Sequence, residues 1–235
     1  MMKTVVVIPA YNEELSVGRV IKDVQGLKAG YDVVVVDDGS NDRTAEEATR
    51  AGASVLRLPI NLGIGGAMQT GFRYAVRRQY DCAVQVDGDG QHPAHEIPRL
   101  VSVIAAGGAD VAIGSRFLER KGFQSTFSRR LGIRYFQFLH RVLVRVRVTD
   151  STSGFRALGR RALAVVDGYY PDQFPESESI VLFAAHGLKI KEVPVLMRGR
   201  QGGESSIRRL VGPYYMFKVT LAIIFTYLRL RKGRI

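Results

Sequence analysis

The sequence predicts an α/β fold, a mostly parallel central sheet flanked by helices. Three observations carry this. Apolar runs alternate with helical patterns through the first half, as in parallel strands joined by crossover helices. Polar, acidic or glycine-rich loops follow the first four runs, at the strand ends where such sheets bind ligands. With 235 residues and 46% apolar content, the chain can bury a full core.

The first strand is expected over residues 4–8, because the opening is too short and too soon acidic for a signal peptide. A helix over 15–27, a strand over 32–36 and a helix over 43–51 follow, with Ser40 and Thr44 as capping residues. Next come a strand at 54–58, a helix at 64–78, a strand at 82–86, a helix at 94–106 and a strand at 111–114. No repeat, low-complexity linker or boundary interrupts the chain, which reads as one domain over 1–235. The single cysteine, Cys82, excludes an internal disulfide framework, fits a reducing cytosol and reads as a buried structural thiol.

The net charge of +12 is unevenly spread: −3 over residues 1–115, +10 over 116–161, −3 over 162–197 and +8 over 198–235. Both basic segments are rich in aromatic and aliphatic residues, which suits phosphate groups on an apolar layer, the membrane–water boundary. Nucleic acid is the competing reading of a high pI, but no nucleic-acid motif is found. Nothing before Tyr214 approaches the ~20 apolar residues that a spanning helix requires.

The segment Val-Gln-Val-Asp-Gly-Asp-Gly-Gln-His-Pro (84–93) carries the most chemistry. Asp87 and Asp89 project carboxylates from a strand end and Gln91 can add a carbonyl oxygen. That donor set suits Mg²⁺ or Mn²⁺ carrying substrate phosphates. The same residues also make an acidic, glycine-rich turn, and Asp-x-Asp alone does not choose between the two. Three further loops, at 9–14, 37–44 and 61–67, are expected at the same edge; their acids suit ribose hydroxyls and base N–H groups, and their glycines allow close approach to a phosphate.

In order, Val7-Ile8-Pro9-Ala10-Tyr11-Asn12-Glu13-Glu14, Val36-Asp37-Asp38-Gly39-Ser40, Asn61-Leu62-Gly63, Asp87-Gly88-Asp89-Gly90-Gln91-His92-Pro93, Gly114-Ser115-Arg116, Asp150-Ser151-Thr152-Ser153-Gly154-Phe155-Arg156 and Glu192-Val193-Pro194-Val195 span nearly the whole chain. This series resembles the family 2 glycosyltransferases of the GT-A (Rossmann-like) fold, and among them the polyprenyl-phosphate, dolichol-phosphate mannose synthase-like enzymes. The resemblance implies a nucleotide-binding half (1–115), an acceptor-binding half (116–212) and a C-terminal apolar helix with a basic tail (213–235). It implies that Pro9, Tyr11, Glu13, Asp38 and Asn61 line the nucleotide site. Asp87, Asp89 and Gln91 would hold Mg²⁺ or Mn²⁺ on the diphosphate of a UDP- or GDP-sugar, with Arg200 helping to neutralise the phosphates. Arg116, and Arg129 or Arg130, would meet the acceptor phosphate. Where relatives read Phe-x-Phe-Gln-x-Glu, this chain reads Gln173-Phe174-Pro175-Glu176-Ser177-Glu178, aligning Glu178 with the family's glutamate and Glu176 with its glutamine. Some short relatives work with a separate small membrane protein, so such a partner is included in the expectation.

The chemistry agrees with this resemblance. A divalent ion stabilises the departing diphosphate, a Lewis-acid role worth several kcal/mol. A hydroxyl acceptor needs a general base. A phosphate monoester, with a second pKa near ~6, is already ionised and needs cationic forks to hold it. Arg116, Arg129, Arg130 and Arg156 supply that charge, favouring a lipid-phosphate acceptor. Asp89, Arg116 and Glu178 are the expected catalytic residues, while Glu176 is left open; both glutamates also suit the acidic first turn of a helix running through Ala185.

Over residues 129–146, helical phasing puts Arg130, Arg134, Arg141 and Arg145 on one stripe. Leu131, Tyr135, Phe138, Leu139, Val142 and Val146 adjoin it, as an interfacial helix requires. Residues 144–148 also alternate like a strand. The last helix, from Pro213 to about residue 230, is apolar nearly all round: buried in protein, dipped in a membrane or paired with another helix. His92 can reach a phosphate or be structural; His95, His140 and His186 show no metal-ligand spacing. The expected activity is therefore inverting transfer of Glc, GlcNAc or Man to a polyprenyl phosphate by a cytoplasmic protein peripheral on the inner membrane face. Its rivals are transfer to a sugar hydroxyl in a polysaccharide and a non-catalytic, membrane-recruited nucleotide-sugar binder.

Overall fold

The computed structural model describes residues 2–119, 127–197 and 213–232. The five expected strands are present as β1 (Thr4–Ala10), β2 (Asp32–Asp37), β3 (Ser54–Arg57), β4 (Cys82–Gln85) and β5 (Val111–Ser115). Between them run α1 (Val17–Gln25), α2 (Thr44–Arg50), α3 (Gly63–Arg77) and α4 (Ile97–Ala105), the last entered through a 3-10 turn at Ala94–Glu96. Two strands were not anticipated, β6 (Arg156–Gly159) and β7 (Ile190–Pro194). The sheet order is β3-β2-β1-β4-β6-β5-β7, with every pairing parallel except those of β6, which runs antiparallel between β4 and β5.

Every residue of β1, β4 and β5 is buried, which explains their continuous rather than alternating apolar character. One face of the sheet packs against α1, α2 and α4 through Val17, Ile21, Ala48, Ile97 and Leu100. The other packs against α3, α6 (Arg160–Gly168) and α7 (Pro175–Ala185) through Met68, Phe72, Leu163, Ile180 and Phe183. Each such side chain contributes about 1.5–3 kcal/mol by leaving water.

A further layer covers α7. Helices α5 (Phe127–Val144) and α8 (Pro213–Lys232) meet Val181 of α7 through Phe136, Val219 and Ile223. The strand-like alternation at 144–148 does not become a strand: α5 stops at Val144, and Arg145 turns the chain with φ of 59°. On α8 the open alternatives resolve in part, because one face is packed protein while Tyr214, Phe217, Phe225 and Leu228 remain exposed. No described helix is long and apolar enough to cross a membrane.

The six parallel strands bring their C-terminal ends to one edge. Because β6 is reversed, its first residue, Arg156, arrives at that edge too.

Candidate active site

The loops after β1 and β2 are laced together. Asn12, itself at φ 55°, donates its N–H to the Ser40 hydroxyl, and its side-chain oxygen accepts the Asn41 N–H. Glu13 donates its N–H to Thr44 Oγ1 and accepts the Ser16 hydroxyl at 2.6 Å. Tyr11 is exposed at this edge, and Pro9 is buried within β1. Asp38 accepts the N–H groups of Leu62 and Gly63 at 2.7 and 2.9 Å, so it ties the second loop to the start of α3. Burial raises its pKa against the pull of those amides. Asn61 also accepts the Gly63 N–H. Gly39 has φ of 71°, and a Cβ there would lie 2.9 Å from the Asn61 nitrogen, so both conformation and space require glycine. Beside it opens a cavity of about 380 Å³ lined by Asp37, Gly39, Ser40, Arg57, Leu58 and Pro59.

The acidic loop after β4 sits against the first loop: a Cβ on Gly88 would be 3.3 Å from the Pro9 carbonyl oxygen and 3.7 Å from Glu13 Cγ. Asp89 is buried and accepts the Gln91 N–H at 3.0 Å, whereas the Asp87 side chain is 35% exposed. His92 turns inward, 5% exposed, and stacks on Phe155 with centroids 4.8 Å apart and planes 12° from parallel. Its Nδ1 accepts the Asp87 N–H at 3.1 Å. Burial holds its imidazole down at about 4, with Asp89 opposing and Arg116 reinforcing the shift.

Across this loop, a Cβ on Gly154 would be 3.4 Å from Asp87 Oδ1 and 2.8 Å from Gln85 Nε2. That amide nitrogen is buried with no hydrogen-bond partner among the described residues. Glycine at 154 thus lets the Gln85 amide and the half-buried Asp87 carboxylate pack close against the backbone of the 150–154 loop. No group of three His, Cys, Asp or Glu among the described residues makes a complete metal cage. Two carboxylates and an amide instead fit a Mg²⁺- or Mn²⁺-type ion completed by phosphate oxygens.

The arginines behave differently from expectation. Arg116, at the end of β5, is 7% exposed and grips Asp150 through Nε and Nη2, each at 2.7 Å, with a further bond from Nη2 to Thr152. Asp150 is held in turn by Glu192, which accepts the N–H groups of Thr149 and Asp150 at 2.7 and 2.8 Å. Arg156 is 1% exposed and donates to the carbonyls of Ser153, Ser151 and Glu176 and to the Ser179 hydroxyl. In this arrangement it braces β6 and the 151–153 loop against α7. The Arg129 and Arg130 side chains and Arg200 lie outside the described residues.

Glu178 also departs from expectation. Its carboxyl accepts the Thr226 hydroxyl of α8 at 2.7 Å and the Phe174 N–H at 3.3 Å. It lines a cavity of about 540 Å³ with Tyr169, Phe225, Leu228 and Arg229. Glu176 instead lies among Arg156 and Asp87; burial raises its pKa, Arg156 opposes this and Asp87 adds to it. Residues two apart on a helix do not face the same way, so only one of the pair can address the acidic loop. Of the two readings of His92, the inward, structural one matches its placement, while sequence reasoning missed the Asp150–Glu192 support. The signal for Asp150 was its position as one of only two acids in the +10 segment.

Comparison with known proteins agrees with this geometry. The Glycosyl transferase family 2 model matches residues 5–166. The undecaprenyl-phosphate mannosyltransferase of Micrococcus luteus is 31% identical, over 88% of each chain. The UDP-N-acetylglucosamine–dolichyl-phosphate N-acetylglucosaminyltransferase of Methanococcus voltae is 31% identical, over 80% of this chain and 83% of its own. Among solved structures, glucosyl-3-phosphoglycerate synthase from Mycobacterium tuberculosis, in complex with Mn²⁺, UDP-glucose and phosphoglyceric acid, superposes with a TM-score of 0.73. It is 21% identical and the match covers 96% of this chain and 80% of that one, which establishes a shared GT-A fold. Strand-end loops, sheet order and relatives thus converge, and the chain belongs to glycosyl transferase family 2, as a glycosyltransferase.

Proposed function

We propose that the protein transfers a hexose or N-acetylhexosamine (Glc, GlcNAc or Man) with inversion from a UDP- or GDP-sugar to a polyprenyl phosphate, while lying peripherally on the cytoplasmic face of a membrane. The observation that carries this reading is α5. Its outer face exposes Arg134 and Arg141 beside Tyr135, Phe138 and Val142, with Arg145 exposed just past its end, while its inner face packs through Ile133, Phe136 and His140. Arginines beside exposed aromatics suit lipid phosphate over acyl chains. The names of the relatives from M. luteus and M. voltae support the same acceptor class.

In this reading the 380 Å³ cavity takes the nucleoside, with Asp38 fixing the floor loop and Asn12 tying the loop that carries Tyr11 and Glu13 to Ser40 and Asn41 at its wall. Asp87, Asp89 and Gln91 hold Mg²⁺ or Mn²⁺, which when bound supplies positive charge to the departing diphosphate. Gly154 lets the 150–154 loop approach Asp87 and Gln85 closely, which sets that loop against the acidic one. The acceptor phosphate is already ionised, so no residue need remove a proton from it. The guanidinium of Arg116 is engaged by Asp150 and that of Arg156 by carbonyls, so the acceptor role is assigned to Arg129 and Arg130 at the start of α5. Arg116 acts by fixing the 150–154 loop. Glu176, rather than Glu178, is the acid assigned beside the donor sugar.

One observation favours a second reading. A carboxyl with a raised pKa near Asp87, that of Glu176, is the kind of base a sugar-hydroxyl acceptor would need. Incubation with radiolabelled UDP- and GDP-sugars separates the two. A mild-acid-labile glycolipid formed only with added polyprenyl phosphate supports the first; label appearing in a neutral oligosaccharide instead overturns it.

A further inference from the structure

His92 lies directly behind the acidic loop, and both ring nitrogens address the same residue. Nδ1 accepts the Asp87 N–H at 3.1 Å, so that nitrogen carries no proton and the ring is the neutral Nε2–H tautomer. Nε2 lies 3.6 Å from Asp87 Oδ2, an electrostatic contact longer than a hydrogen bond. The ring itself is clamped: it is 5% exposed and stacked on Phe155, the residue after Gly154, whose hypothetical Cβ approaches Asp87 Oδ1 to 3.4 Å. Phe155 is fixed in turn, because its carbonyl accepts the Gly114 N–H at 2.8 Å and its neighbour Arg156 is buried. A rigid chain therefore runs from the end of β5 through Phe155 and His92 to the backbone and carboxylate of Asp87.

We infer that His92 is a positioning residue that aims the Asp87 carboxylate at the divalent ion and couples that aim to the 150–155 loop. It makes no contact with substrate in this assignment, in contrast to the phosphate contact considered from sequence. The inference rests on the reading that Asp87 holds the ion. Partners that orient a ligating side chain typically change metal affinity by about 10–100-fold when removed.

The test is the affinity of the purified protein for Mn²⁺ alone, read from loss of the free-ion EPR signal, with far-UV circular dichroism checking that each variant folds. His92→Phe keeps the stack and removes both nitrogens; it is expected to weaken Mn²⁺ binding about 10-fold or more. His92→Asn places an acceptor oxygen where Nδ1 was and is expected to recover most of that loss. Phe155→Leu frees the ring to tilt and is expected to weaken binding several-fold. Wild-type affinity in His92→Phe, or an equal loss in His92→Asn, overturns the inference. Should His92→Phe not fold, unchanged affinity in Phe155→Leu overturns it. Asp87→Asn separates the two levels: if it binds Mn²⁺ as wild type does, the metal assignment fails and His92 falls with it. If it does not bind while His92→Phe does, only the positioning role is lost.

Discussion

The Asp87 carboxylate of the first half and the arginines of the second were equally conspicuous in sequence, yet the fold treats them differently. Asp87 keeps a side chain that is 35% exposed at the strand-end edge, close against Gly154. Arg116 and Arg156 reach the same edge and turn inward, one onto Asp150 and the other onto carbonyls of the 151–153 loop and α7. A guanidinium matches a carboxylate or a cluster of carbonyls as well as it matches a phosphate, so residue type alone does not separate scaffold from ligand contact. Asp87 stays partly open at the edge, while Asp38, Arg116 and Arg156 use their charge to hold loops in place.

The largest effect that sharpens this contrast is expected at Asp89. Asp89→Asn should lower transfer by on the order of 10³-fold or more, since it removes part of a Lewis-acid arrangement worth several kcal/mol. Radiolabelled transfer with saturating Mn²⁺ measures this, and turnover within a few-fold of wild type would place Asp89 outside the machinery. Asp150→Ala comes next. Removing the carboxylate that takes both Nε and Nη2 of the buried Arg116 should cost about 3–5 kcal/mol of stability, measured by denaturant unfolding. Arg130→Gln, by contrast, should leave unfolding unchanged while raising the KM for polyprenyl phosphate. The reverse pattern, a stable Asp150→Ala and an unfolding Arg130→Gln, would exchange the roles assigned to the two regions.

The smallest effect is a pH dependence at Glu178, whose pKa is raised above 4.5 by burial, with Thr226 and the Phe174 N–H opposing. In the window between the ordinary and raised values the folded state holds a proton that the unfolded chain has released, so this group's contribution to stability falls as pH rises. Glu178→Gln cannot ionise. Its stability relative to wild type should therefore increase as pH climbs above about 4.5. Parallel unfolding curves for the two proteins across that range would show that burial exerts no such hold.

Strands β1, β2, β4 and β5 were legible because apolar runs with no charge inside them have few other ways to be buried. Strand β3, half-exposed and carrying Arg57, was legible from its place in the strand–helix alternation. β6 was not, since Arg-Ala-Leu-Gly carries no strand signature and becomes a strand only because β4 and β5 flank it. The site divided in the same way. Asp87, Asp89 and Gln91 fall within one short loop of the sequence, whereas the carboxylate that Arg116 grips lies 34 residues away and the hydroxyl that Glu178 accepts lies 48 away. Choosing between Glu176 and Glu178 required the phase of α7, which starts at Pro175 and turns the two side chains apart.

The reversed strand also governs how the chain can be made. β4 and β5, though 25 residues apart along the chain, never touch each other; β6 fills the gap between them, and β7 then borders β5. A nascent polypeptide halted after β5 would therefore present raw, unpaired margins on both of those strands, the kind of ribbon that sticks to its neighbours. Ribosomes emitting this protein must expose that hazard for the interval needed to synthesise some forty more residues, since β6 starts at Arg156.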